Sequence, residues 1–319
     1  MPFHDIIGNS RNISIIKRVL ASGKAAHAYL FSGPEGVGRK KIALSFVEAL
    51  FCSGIEGCGS CPSCRKIAAG NHPDLHVIEP DGQFIKIDQV RDLQKELSYR
   101  PYEATRKAAI IDGADRLHPA AGNALLKTIE EPPGSAILIL LATTGEKVLP
   151  TIRSRCQQLL FNGISQEAIQ DFLVKQGVTT ATAQVAASLA GGSISRALSL
   201  CNEEIMNDRN AIINAACNLS RRNMAELFGF GELFDKERDK ATQTLDLLTS
   251  FWRDMLLLQH GSQQIVNNDL LPLLEKESGR RPGRTLLGEI EYLGHIRNAL
   301  LRNANVRLTM DMLAMKLAA

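Results

Sequence analysis

The sequence predicts an α/β domain, a parallel sheet with helices on both faces, followed by a chain that is helical to its end. Three observations carry this. Short, continuously apolar runs alternate with amphipathic stretches through the first half. A glycine-rich turn, Gly33-Pro34-Glu35-Gly36-Val37-Gly38, joins the first apolar run to the first amphipathic stretch. After Phe161-Asn162-Gly163 no strand pattern remains.

Taken in order, Ala28 to Ser32 (AYLFS) reads as a strand, and Arg39 to Phe51 as the helix after the glycine turn. Leu75-His76-Val77-Ile78 is a second strand. Asp88 reads as the N-cap of a helix running to about Tyr99, with Pro101 just beyond. Lys107 to Ile111 (KAAII) and Ala136 to Leu141 (AILILL) are buried strands, since a strand covered on both faces needs no polar alternation. Between them Ala120 to Glu131 is a helix stopped by Pro132-Pro133. Residues 165–176, 180–190 and 193–201 read as short helices, and 210–222, 239–260, 285–303 and 306–317 as longer ones. Gly279-Arg280-Arg281-Pro282-Gly283-Arg284 is the clearest loop among these. The expected organisation is an α/β domain over 1–162, a small helical domain over 163–205 and a helical domain over 206–319. No internal repeat or low-complexity tract interrupts it.

Composition removes several classes. The chain has 319 residues, 45% hydrophobic and 22% charged, which excludes wholesale disorder. No apolar run approaches the roughly 20 residues that span a bilayer, and Met1-Pro2-Phe3-His4-Asp5 does not read as a secretory signal. Net charge is only +3, so charge alone names no partner. A stand-alone nucleic-acid binder would want basic residues interleaved with aromatics. With aromatics at 5% and Trp252 the one tryptophan, that stacking surface is missing.

The glycine turn has the spacing of a phosphate-binding loop. Gly33, Gly36 and Gly38 let backbone N–H groups wrap phosphates, but the next two positions must be Lys and Ser/Thr. Here they are Arg39 and Lys40, and Lys40 and Lys41 lie one and two positions past the lysine slot. The strand Ala109-Ile110-Ile111-Asp112 ends in an aspartate suited to hold Mg²⁺. The next position, where a carboxylate would orient the attacking water, is Gly113, and Asp115 comes two residues too late. Both defects predict a tight turn without ATP hydrolysis by this chain.

Of seven cysteines, Cys52, Cys58, Cys61 and Cys64 crowd together, among Gly54, Gly57, Gly59 and Pro62; Cys156, Cys201 and Cys217 are scattered. The spacing Cys-x5-Cys-x2-Cys-x2-Cys suits one tetrahedral Zn²⁺, with iron–sulfur ligation as the rival. Four thiolates leave no open position, so the metal is expected to be structural.

Asn123-Ala124-Leu125-Leu126-Lys127-Thr128-Ile129-Glu130-Glu131-Pro132-Pro133, then Ala142-Thr143-Thr144, then Ser154-Arg155-Cys156 resembles the clamp-loader branch of the AAA+ ATPases. Phe3-His4-Asp5-Ile6-Ile7-Gly8-Asn9 is similar to the start of that domain, and the cysteine loop to the zinc module of bacterial clamp-loader subunits. The resemblance covers residues 1 to about 200. Beyond that the chain matches the family's collar domain in length and class only.

The resemblance implies an AAA+ domain with an inserted zinc module, a lid domain and a collar. It implies a bacterial, cytoplasmic replication assembly at the nucleoid, part of a DNA-directed DNA polymerase holoenzyme. The implied partners are ATP-hydrolysing motor subunits (tau/gamma), a clamp-opening subunit (delta), a sliding clamp and primer-template DNA, with no membrane. It further implies that Arg155 reaches the γ-phosphate of ATP on a neighbouring subunit, while Ser154 and Cys156 shape the turn. The bland reading of Arg155 is an intrachain ion pair. Arg196 within Gly192-Ser193-Ile194-Ser195-Arg196-Ala197-Leu198 matches the sensor-2 pattern, and Thr143 or Thr144 the sensor-1 position. Glu130-Glu131 reads as a solvated helix end. A motor subunit needs a working phosphate loop, which this chain lacks, so the family's stator class fits better. The alternative is an active motor, which predicts ATP turnover by the isolated chain.

Overall fold

The structure is a computed structural model that describes residues 3, 6–54, 56–235, 237–262 and 264–318. His4 and Asp5 of the N-terminal signature, with Met1 and Pro2, lie outside the described residues. The chain divides into two compact units: residues 1–172 with 191–196, and residues 173–190 with 197–319.

In the first unit five strands form one all-parallel sheet: β1 (Ala28–Ser32), β2 (Leu75–Ile78), β3 (Ala108–Asp112), β4 (Ile137–Ala142) and β5 (Gln157–Leu160). Their order is β2-β3-β4-β1-β5, paired in parallel throughout. The strands β1 and β4 are buried along their whole length, which is why they read as continuous apolar runs.

Side-chain alternation splits the core in two. Tyr29, Phe31, Ile110, Ile139 and Leu141 pack with α1 (Ser10–Ser22), α2 (Arg39–Phe51) and α3 (Pro62–Ala68). Leu30, Ile111, Leu138 and Leu140 pack with α4 (Ile87–Ser98), α5 (Pro119–Glu130) and α6 (Pro150–Arg153). Both faces are thus covered, as a parallel sheet requires.

Several elements differ from the sequence reading. The strand β5 was not expected; at the sheet edge only Leu159 is buried while Gln157, Gln158 and Leu160 are exposed, so it carries no apolar run. The helix α4 starts at Ile87, with Lys86 as N-cap. Gln89 Oε1 accepts the Lys86 N–H at 2.9 Å, so Asp88 lies in the first turn and is not the cap. The helices α1 and α3 were also unread; α3 has only Cys64 and Ile67 buried, too little for a periodic signal.

The remaining helices are α7 (Gln166–Lys175), α8 (Thr180–Leu189), α9 (Ile194–Leu200), α10 (Glu203–Asn218), α11 (Met224–Glu232), α12 (Arg238–Gln259), α13 (Leu271–Arg280), α14 (Gly283–Leu301) and α15 (Val306–Leu317). Leu245, Leu248, Phe251, Trp252 and Met255 of α12 form the centre of the second unit's core. Leu286, Leu293 and Ile296 of α14 and Met310, Leu313 and Leu317 of α15 complete it. Glu289 is paired twice there: Trp252 Nε1 donates to Glu289 Oε2 at 2.6 Å, and Arg281 Nη1 to Glu289 Oε1 at 2.8 Å. At Gly231 a Cβ would lie 1.8 Å from Asp311 Oδ1, so the close approach of α11 to α15 at this point needs a glycine. Among the described residues no helix is long and apolar enough to cross a membrane.

Candidate functional site

The glycine turn leaves the C-terminal end of β1, between β4 and β5, where ligands bind in open α/β sheets. Its glycines are required. A Cβ on Gly33 would lie 2.2 Å from the Phe161 carbonyl oxygen, and one on Gly36 2.0 Å from Ser193 Oγ. Gly38 takes φ 91° and opens α2. The Ile194 N–H donates to the Gly36 carbonyl at 2.9 Å, so the Ser193–Ser195 segment lies directly on the turn. Arg196 follows, half-buried, its N–H on Ser193 Oγ at 3.3 Å.

The cations beside the turn are engaged inside the chain. Arg39 Nη1 donates to the Ala142 carbonyl at the end of β4, which also accepts the Gly33 N–H at 3.2 Å. Burial lowers the Arg39 guanidinium, against the pull of Asp112, Asp115 and Glu35. Lys40 Nζ bridges Glu79 and Asp112, the latter at 3.1 Å. Burial opposes its charge, but the hydrogen bonds to both carboxylates prevail and raise it. Asp112, the predicted Mg²⁺ ligand, thus faces an ammonium.

Gly113 has φ 93°, and a Cβ there would approach Pro80 Cγ at 3.0 Å. A water-orienting carboxylate at this position would be strained. The Thr143 hydroxyl donates to Asp115 Oδ2, leaving Asp115 Oδ1 buried without a partner. The structure therefore brings Gly33, Gly36, Gly38, Arg39, Lys40, Asp112, Thr143 and Arg196 to one end of the sheet or its adjoining turn. The side chains of Arg39, Lys40 and Thr143 make their contacts there within the chain, to the Ala142 carbonyl, to Glu79 and Asp112, and to Asp115. A cavity of about 200 Å³ lined by Leu97, Arg100, Lys107 and Gly134 lies at the other end, where β3 and β4 begin.

Arg155 lies elsewhere, in the turn between α6 and β5. Its Nε donates to Glu130 Oε1 at 2.6 Å and its Nη1 to the Thr151 carbonyl at 3.0 Å; the side chain is 41% exposed. The intrachain ion pair foreseen as the bland reading is present. Glu130, read as a solvated helix end, is its partner. Cys156 is buried next to it, and burial pushes its thiol up to about 11, an inert packing residue.

The cysteine cluster is assembled by the end of α2 and the start of α3. Four sulfurs around a tetrahedral Zn²⁺, with Zn–S of about 2.3 Å, lie about 3.8 Å apart. Cys52 and Cys61 Sγ are 3.9 Å apart, Cys58 and Cys64 Sγ 4.0 Å, and all four lie within 4.8 Å of one another. Backbone N–H groups of Gly54 and Cys58 donate to Cys52 Sγ at 3.2 and 3.3 Å, and that of Cys61 to Cys58 Sγ at 3.3 Å. Such donors favour thiolates. The Ser60 hydroxyl and N–H hold the Cys58 thiol down to about 5, whereas burial pushes Cys64 up to about 12. The donor set and spacing fit a Cys₄ metal centre.

Sequence reasoning missed Glu79, the second partner of Lys40, and the pairing of Glu130 with Arg155. The first had a signal, since Glu79 directly follows β2 at the ligand end of the sheet. The second had none, because residues 25 apart meet only through the fold.

A family model described as DNA polymerase III, delta subunit, matches residues 8–165, and one for its C-terminal part matches residues 203–317. The DNA polymerase III subunit delta' of Bacillus subtilis is 32% identical over 314 residues, covering 96% of this chain and 95% of that protein. This chain belongs to the DNA polymerase III delta' family. A second delta' relative, from Haemophilus influenzae, is 31% identical over 90% of the chain and 88% of its own length. The Bacillus subtilis subunit tau is 33% identical over 80% of this chain, which spans 50% of tau's length. The fold of this delta' family chain is also that of a gamma subunit-related protein from Thermotoga maritima, with TM-score 0.56 and 20% identity over 96% of this chain and 98% of the other. The α/β AAA+ fold with a helical C-terminal part, expected from the sequence, stands.

Proposed function

We propose that this chain is a non-hydrolysing subunit of a bacterial clamp loader, the stator of a ring that places a sliding clamp on primed DNA in the cytoplasm. Its partners in this reading are tau/gamma motor subunits, which bind ATP, and a clamp-opening delta subunit; clamp and primer-template DNA are met through the assembly. The observation that carries it is the contrast between two sites. Lys40, in the slot where a hydroxyl would meet Mg²⁺, pairs within the chain with Asp112, the residue suited to hold that metal. Arg155 stands apart from them, its side chain 41% exposed, with Glu130 bonded to its Nε.

In this reading Arg155 acts in trans. A fixed guanidinium at a neighbour's γ-phosphate stabilises charge spread over the transferring phosphoryl oxygens, an effect of about 10³–10⁵-fold where such a finger operates. Cys52, Cys58, Cys61 and Cys64 would hold a structural Zn²⁺ that pins the loop between α2 and β2. Residues 206–319 would serve as the collar. The exposed Leu308, Met312 and Met315 on one face of α15 support a contact with neighbouring subunits.

The test is DNA- and clamp-stimulated ATP hydrolysis by a ring rebuilt with motor and clamp-opening subunits, comparing this chain with Arg155→Ala. Loss of turnover at one site in an intact ring, with no turnover by the isolated chain, is the expected result. Turnover by the isolated chain would make it a motor. An unchanged ring rate would remove the role given to Arg155.

A further inference from the structure

The geometry points to Glu130 as the residue that positions Arg155 for its neighbour. This rests on the role proposed for Arg155 and adds how the guanidinium is held. A guanidinium has five N–H donors, one on Nε and two on each terminal nitrogen. Nε is used by Glu130 Oε1 at 2.6 Å. Nη1 is used by the Thr151 carbonyl at 3.0 Å and the Ser154 hydroxyl at 3.4 Å. Both donors on Nη2 have no hydrogen-bond partner among the described residues. The chain therefore grips the inner edge of the guanidinium and leaves two parallel-capable donors at its tip. Phosphoryl oxygens are acceptors of matching geometry.

The backbone of Glu130 is fixed by its helix, and its carboxylate, 48% exposed, turns to Arg155. Glu130 is the last residue of α5, whose final turn closes with the Glu131 N–H on the Lys127 carbonyl at 3.0 Å, before Pro132 and Pro133 end the helix. Thr151 and Ser154 belong to α6 and its C-cap. Arg155 is thus clamped between the ends of two helices that pack on the same face of the sheet. A carboxylate that withheld the arginine would cover its tip; this one bonds Nε and leaves the tip open. Glu130 is a positioning residue: it removes rotational freedom from a long side chain before the neighbour's phosphate arrives.

The test uses the rebuilt ring with Glu130→Ala, Glu130→Gln, Arg155→Ala and the double variant Glu130→Ala/Arg155→Ala. Glu130→Ala is expected to remove most of the share of kcat that Arg155→Ala removes, with KM for ATP unchanged. Glu130→Gln should recover most of it, because the amide oxygen still accepts from Nε. The double variant should match Arg155→Ala alone. In the free chain the Arg155 Nε–H proton resonance should be protected in the parent and Glu130→Gln, and averaged with solvent in Glu130→Ala. If Arg155→Ala lowers turnover while Glu130→Ala matches or exceeds the parent, the positioning role is wrong and the finger stands. If Arg155→Ala itself changes nothing, the finger reading fails, and the Glu130 role with it.

Discussion

Single side chains in the first unit set its response to acid. His72 is 3% exposed, against the Phe51 ring with centroids 4.9 Å apart. Burial lowers its imidazole below 6.5, and Asp74 and Glu103 only partly offset this. His76 is lowered too, by burial and then by Lys107. Below pH 6.5 the unfolded chain therefore takes up protons that the folded chain refuses. Stability from these groups is full above pH 6.5 and falls as pH drops below it. Asp74 responds at lower pH. Burial raises its carboxyl, but N–H donors from Ala104, Glu103 and Tyr102 outweigh that and bring it below 3.8. Its contribution is full above pH 3.8 and is lost below. We expect His72→Gln to flatten the fall in melting temperature between pH 7 and 5 relative to the parent. Equal slopes in the two proteins would remove His72 from the account; the comparison cancels any change at the cysteines, which both share.

At the scale of elements, the segment between α2 and β2 depends on four sulfurs. It exposes Gly54, Ser60 and most of its other residues, and α3 buries only Cys64 and Ile67. So little apolar area cannot order a loop unaided. A metal held by the four sulfurs would supply much of its order. Elemental analysis should find one zinc per chain, and chelation should raise hydrogen exchange across 58–68 while β1 and β4 stay protected. Visible charge-transfer absorption would mark iron in place of zinc, and unchanged exchange after stripping would show that the loop holds itself.

For the molecule as a whole, the two units carry separate cores and separate reporters. Trp252, the chain's one tryptophan, lies in the helical unit. It is fully buried, with Arg281 stacked 5.3 Å from its ring and both bonded to Glu289. Removing that carboxylate leaves a half-buried guanidinium and an indole N–H unpaired, a loss of about 3–5 kcal/mol when a buried pair is broken. Glu289→Ala should shift the tryptophan-fluorescence unfolding transition to lower denaturant. Exchange protection in the sheet strands should persist through it. A single transition that moves both together would show that the units unfold as one.

The strands β1, β3 and β4, the glycine turn, the defects at Arg39, Lys40 and Gly113, and the cysteine cluster were all legible in the chain. Each is written in contiguous residues, as an unbroken apolar run, a fixed spacing or a missing functional group, and local patterns of that kind survive without coordinates. The strand β5 and the helix α3 were not, because each buries only one or two side chains. The pairings escaped for another reason. Lys40 with Glu79, Thr143 with Asp115 and Arg155 with Glu130 join residues 25 to 39 positions apart. Those partners are chosen by strand order and by where helices end, and such distances are properties of the packed sheet; of the three, only Glu79, placed directly after β2, left a mark in the order of the residues.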